Sequence, residues 1–381
     1  MRKLAVFLLV TLVSGAFAQL PGPVTIGVNL ELSGRFVTIG TSTLQGIEAA
    51  LAQLPEAADV NLSICDNATT VEGSVACANR FVDEGALAVL GAISSSMSIP
   101  AAQILQENGI IMISTSSTNP ATTQIGDHIF RMAYTDDFQG KVAARYAFND
   151  LGARSVIIFR QQDDDYSFGL ANFFDEEFQV LGGETVVVDY VANTNDFTAQ
   201  INDILGLPAD VIYNSGFCFE GAVLVPALRA AGFDQQILGA DASDDSQCPD
   251  GGGEAFNGYL FTGFGGPEVL TGEAAVRATA FETFFRVQNP DAPDFNGFTL
   301  AGADSLSVMV DAIKRAGSTD IAAVRDALQA TVNFPGVSGE ITYDGTDGTP
   351  SDRTIAFFEY VVPADNDLGW ESVSKIGITT R

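Results

Sequence analysis

Apolar, β-branched runs alternate with helical stripes along almost the whole chain, and that alternation restricts the fold to α/β. Residues 24–30 read as a buried strand, because their apolar run is unbroken. Leu44, Ile47, Leu51 and Leu54 then form one helical stripe. Strand 60–64, a helix through Val75, Ala78 and Val82, and strand 87–93 follow. A helix at 99–108 has Pro100 in its first turn and Gly109 as its stop. A second series runs through helix 142–151, strand 155–159, a loop at 160–169 and a helix carrying Leu170, Phe174, Phe178 and Leu181. It continues with strand 184–190, helix 197–205, strand 210–213, helix 221–231 and strand 236–240. Helices 273–288, 298–316 and 320–330 and strands 339–343 and 355–362 close the chain. The expected architecture is two parallel sheets with helices on both faces, at about 150 residues per domain.

Within this frame one arrangement occurs twice. Strand 87–93 ends in Ser94-Ser95-Ser96, and strand 110–113 ends in the hydroxyl run 114–118. Ligands of open parallel sheets sit beyond the carboxyl ends of the strands, where helix N-termini offer free N–H groups. Two such loops side by side make a cradle for a small anion such as a carboxylate.

Residues 1–18 have the form of an export signal. Arg2 and Lys3 precede an apolar stretch, and Ala16-Phe17-Ala18 gives a cleavage site before Gln19. The site lacks the cysteine of a lipid-anchored form, and no later stretch approaches the ~20 apolar residues of a membrane span. The mature product is expected in the periplasm, soluble and monomeric. A net charge of -30 disfavours nucleic acid and anionic membranes as partners. Four cysteines in an exported chain suggest two disulfides. Neighbourhood favours Cys65–Cys77 and Cys218–Cys248, the second pair in loops after strands, over the other two connectivities.

Catalytic chemistry is poorly provided for. His128 is the only histidine and lies away from any nucleophile elbow, so an enzyme is not expected, and no metal or cofactor is implied. Asp163-Asp164-Asp165 fails the spacing of a calcium loop and reads as a solvated turn. The glycines at 251–253 read as loop punctuation. Tyr166 at a strand end can stack on a ligand. Asp241, after strand 236–240, is read equally well as the partner of an ammonium group or as a helix N-cap.

These residues carry a resemblance. Ile26-Gly27-Val28 with Leu32-Ser33-Gly34, and the stretches 46–50, 91–96 and 109–120, stand in order. Phe130-Arg131, Asp137, Gln139-Gly140, Phe168-Gly169, Ala303-Asp304-Ser305 and 312–318 continue it. In this order and spacing the chain resembles the type I periplasmic solute-binding proteins of branched-chain amino-acid ABC transporters. The resemblance implies two doubly wound parallel-sheet lobes joined by a three-crossover hinge, lobe one at 20–140 plus 267–345 and lobe two at 141–266 plus 346–381. It implies that an amino-acid-like ligand is captured between the lobes and delivered to an ABC permease. Ser94, Ser116 and Thr118 would hold the α-carboxylate, Tyr166 would close over the ligand, and Asp241 stands where the family has a glutamate for the α-ammonium. Ile39 replaces a frequent aromatic, and Phe217 faces the cleft from lobe two. Asp244 and Asp245 add charge near Asp241, which leaves room for a larger or more cationic amino compound. Alternatives on the same fold are a ligand-sensing receptor and a binder of aromatic carboxylates.

Overall fold

A computed structural model of the chain describes residues 19–292, 294–351, 353–361, 371–372 and 378–380. The expected export signal and part of the C-terminal segment lie outside the described residues. The elements of the first sheet and its flanks are β1 (Val24–Leu30), α1 (Val37–Gln53), β2 (Val60–Asp66), α2 (Val71–Asp83), β3 (Ala88–Gly91), α3 (Ser95–Glu107), β4 (Ile111–Ser114) and β5 (Ile129–Arg131). The second sheet is built with α4 (Asp136–Asn149), β6 (Ser155–Gln161), α5 (Asp165–Val180), β7 (Glu184–Tyr190), α6 (Thr198–Leu205), β8 (Val211–Asn214), α7 (Cys218–Ala230), β9 (Gln236–Gly239), α8 (Gln247–Gly252) and β10 (Leu260–Gly263). Then come α9 (Gly272–Gln288), α10 (Gly297–Ala316), α11 (Ile321–Gln329), the hairpin β11 (Phe334–Gly336) and β12 (Gly339–Ile341), and β13 (Thr354–Val361). Short strands β14 (Glu371–Ser372) and β15 (Ile378–Thr380) end the chain.

The first sheet is parallel, in the order β2-β1-β3-β4-β5. Its inner strands β3 and β4 are buried at every position, as expected of strands covered on both faces. Edge strand β2 is only half covered, and the Cys65–Cys77 disulfide ties it to α2, with Cα atoms 5.8 Å apart. The second sheet runs β14-β13-β10-β9-β8-β6-β7. It departs from the all-parallel expectation at β13, which pairs antiparallel with β10. The chain passes between the sheets three times, and the last passage brings β13 back into the second.

Helix α10 is the central spar, buried over most of its length against α1. Asn296 caps it by accepting from the N–H groups of Phe298 and Thr299. Two glycines allow the close crossing. A Cβ on Gly46 would stand 2.0 Å from the Thr299 carbonyl oxygen, and one on Gly302 2.3 Å from that of Thr43.

Several boundaries differ from the sequence reading, each for a local reason. Helix α3 begins at Ser95, four residues early, because Ser94 takes the extended N-cap conformation. Pro100 therefore lies inside the helix, where it removes one backbone donor. Helix α4 begins at Asp136, with acidic residues in its first turn rather than in a preceding loop. Within the aspartate triplet Asp164 departs from the solvated reading, being buried and capping α5 by accepting from Ser167 N at 2.9 Å, while Asp163 and Asp165 are exposed. Gly251 and Gly252 belong to α8. Cys218 and Cys248 form the second expected disulfide, but from helices α7 and α8 rather than loops, with Cα atoms 4.8 Å apart.

Candidate ligand-binding site

The carboxyl ends of the two sheets face each other across a cavity lined from both. Ser94, Ser116 and Thr118 line it from the first sheet, Tyr166, Phe217 and Asp241 from the second, and Ile39 from α1. All seven residues singled out in the sequence thus share one cavity. Ile93, Ser95, Ala242 and Phe298 also line it and were not singled out. Phe298 lies more than 50 residues from every other lining side chain, and only folding brings it there.

The first-sheet wall is neutral and rigid. Gly91 turns the chain at the end of β3 with φ +106°, and a Cβ there would stand 2.0 Å from the Asn29 carbonyl oxygen. Ser94 is the N-cap residue of α3, yet its hydroxyl makes no capping bond and is buried with no hydrogen-bond partner. Such a group is normally satisfied. The loop is clamped from behind by Glu31, which accepts from Ile93 N at 3.2 Å and Ser94 N at 3.1 Å. Those two N–H groups are therefore committed, and the first turn of α3 offers further N–H groups at this wall. Burial raises the Glu31 pKa, although the main-chain donors pull it down. Buried Arg131 fixes the second hydroxyl run by donating to the carbonyls of Ser117 at 2.8 Å and Asn119 at 2.9 Å.

The opposite wall is acidic and aromatic. Asp241 opens a short 3-10 turn and does not cap it. Its Oδ1 instead accepts from the Tyr166 hydroxyl and from Gln139 Nε2, each at 2.7 Å. The N-cap reading is thereby excluded. Gln139 is held in turn by donors to its Oε1, Tyr134 OH at 2.9 Å and Thr262 Oγ1 at 3.1 Å. Burial pushes the Asp241 pKa up to about 6 against the pull of Tyr166 and Gln139. Asp136 is raised further by burial and by the Asp241 charge. Asp244 and Asp245 do not line the cavity. Burial, with Glu268 and Asp294 nearby, pushes Asp244 up to about 8, and burial pushes Asp245 up to about 7.

Direct bonds join the two walls. Ser96 Oγ donates to Asp164 Oδ2 at 2.8 Å, and Asn119 Nδ2 donates to the Asp165 carbonyl at 2.8 Å. Neither Glu31 nor Gln139 was assigned a role from sequence. The only signal for Glu31 is a charged residue directly after a buried strand. Among the described residues no cluster of histidine, cysteine or carboxylate suits a metal, and no helix is long and apolar enough to cross a membrane.

Comparison with known proteins gives this geometry its context. The family model described as periplasmic binding protein matches residues 23–365. An amino acid binding protein of Pseudomonas aeruginosa is 31% identical, over 86% of this chain and 88% of its own. A Leu/Ile/Val-binding protein homolog of Brucella melitensis is 27% identical, over 91% and 93%. The crystal structure of a leucine binding protein from Thermotoga maritima superposes with a TM-score of 0.85 at 30% identity, covering 92% of this chain and 98% of that one. The chain belongs to the periplasmic binding proteins, in their branched-chain amino-acid type: substrate-binding proteins of ABC transporters, which are not enzymes.

Proposed function

We propose that this protein captures an α-amino acid with an uncharged, apolar side chain and presents it to an ABC permease from the periplasm, after export and cleavage behind Ala18. The observation that carries this reading is the pairing of opposite chemistries across one small cavity. The unpartnered Ser94 hydroxyl faces the cavity beside Ser116 and Thr118, as an α-carboxylate requires. Both side-chain bonds of Asp241 fall on Oδ1, which leaves Oδ2 to accept from an α-ammonium. Ile39, Ile93, Phe217 and Phe298 supply the apolar remainder.

Asp241 also separates this reading from capture of an aromatic carboxylate. A ligand without a cation would leave its buried charge unpaired beside Asp136. Because Asp244 and Asp245 stand outside the cavity, they give no support to a cationic side chain. The proposed cycle is hinge closure between lobe one (20–140 plus 267–345) and lobe two (141–266 plus 346–381). The ligand settles first on the hydroxyl wall, then Tyr166 and Asp241 dock over it. Closure is favoured only insofar as the ligand binds the closed state better.

A thermal-shift panel of amino acids, amines and aromatic acids tests the reading. A ligand at 100 times its Kd stabilises by about 2.7 kcal/mol. The expected hits are apolar α-amino acids. Stabilisation by plain carboxylates alone would overturn the assignment of Asp241.

A further inference from the structure

Arg35 does not line the cavity, yet it is ion-paired, hydrogen-bonded and covered by two aromatic rings close behind it. It lies between β1 and α1, at the first sheet, but its partners belong to the second. Its Nη1 donates to Glu220 Oε1 of α7 at 2.6 Å, and its Nη2 to Gln161 Oε1 at the end of β6 at 2.9 Å. Its Cζ lies 4.7 Å from the centre of the Phe36 ring and 5.0 Å from that of Phe217. The two rings are themselves 4.5 Å apart, and Phe217 lies 5.3 Å from the ring of Tyr166. Gln247 Nε2 also donates to the Arg35 carbonyl, at 3.3 Å.

The side chain of Arg35 is only 11% exposed and that of Glu220 only 1%. A guanidinium between aromatic faces, ion-paired to a buried carboxylate, is the arrangement by which proteins bind cationic ligands. Here the chain supplies the cation itself, directly behind Phe217, which is a wall of the cavity. Burial raises the Glu220 pKa, and the Arg35 charge beside it opposes that rise.

We propose that Arg35 is a specificity-determining residue, a built-in cation that fills the far end of the cleft and restricts the ligand to a short, uncharged side chain. With it in place, Phe36 and Phe217 stay together, and a ligand ammonium or guanidinium meets a like charge instead of Glu220. Its removal leaves Glu220 and Gln161 facing a gap that a basic side chain can fill. The inference rests on the proposed reading of the ligand as an α-amino acid.

Calorimetric titration of leucine, lysine and arginine into wild type, Arg35→Ala and Arg35→Ala/Glu220→Gln tests it. Arg35→Ala is expected to raise affinity for the basic amino acids relative to leucine by about tenfold or more, and the added Glu220→Gln to cancel that gain. Arg35→Gln serves the same purpose if Arg35→Ala does not fold. Unchanged affinities of lysine and arginine relative to leucine in the variant would overturn the proposal. If wild type binds no amino acid, the ligand reading fails by itself, and methylguanidinium then tests Arg35 directly. It is expected to raise the Tm of Arg35→Ala above any shift in wild type or the double variant. Equal shifts in all three proteins would overturn the proposal.

Discussion

The two walls of the cavity recognise by different means. The first-sheet wall holds neutral hydroxyls and helix N–H groups, locked by Gly91, Glu31 and Arg131. The second-sheet wall holds one buried carboxylate whose charge depends on what lies against it. A neutral, preorganised wall loses a modest amount when one donor is removed. A buried charge loses far more when its partner is missing, because the desolvation penalty stays behind. Substitution in the first wall should therefore cost less binding than substitution in the second.

The largest expected effect is at Asp241. Asp241→Asn is predicted to cost about 2–5 kcal/mol of amino-acid binding, a loss of about 30-fold or more in affinity, as read by calorimetry. An affinity within a factor of about three of wild type would put the second wall on the same footing as the first. Next comes the Cys218–Cys248 disulfide, which braces the helix that begins directly after Phe217. Its replacement by two serines is predicted to destabilise the protein by about 2–4 kcal/mol in denaturant melts and to weaken the ligand. Loss of Cys65–Cys77, away from the cavity, should lower stability without that second effect.

Ser94→Ala is predicted to remove about 1.5–3 kcal/mol of binding, the range for a hydrogen bond to a charged group, with the Tm of the unliganded protein nearly unchanged. The effect of pH is a separate test. Asp241, Asp245 and Asp244 have folded pKa values raised to about 6, 7 and 8. Their contribution to stability is complete below the ordinary carboxylate pKa and is lost as pH rises through those values. The Tm of the unliganded protein should thus fall from about pH 4 to about pH 8. Affinity should move the other way, weakening as acid protonates Asp241 below pH about 6. A Tm that rises across this interval would contradict the placement of these carboxylates.

The sequence was unequally informative about the two walls, and for physical reasons. Ser94, Ser116 and Thr118 were legible because each ends a strand whose apolar run marks a buried, parallel neighbour. Asp241 was ambiguous, since a lone aspartate after a strand can cap a turn or face a ligand, and only Tyr166 and Gln139 decide between them. Gln139 carries no local mark of its contact, for its partner lies 102 residues away. Asp164 was misread because its burial depends on Ser96 from the other sheet. Periodicity reports which face of an element is covered, not which element covers it.

The central claim is that one cavity holds a carboxylate at one wall and an ammonium at the other. Titration of wild type at neutral pH with leucine and with 4-methylpentanoate, which lacks only the ammonium group, tests it most directly. Leucine is predicted to bind, with the des-amino acid weaker by about 30-fold or more. Equal affinity for the two compounds would contradict the account.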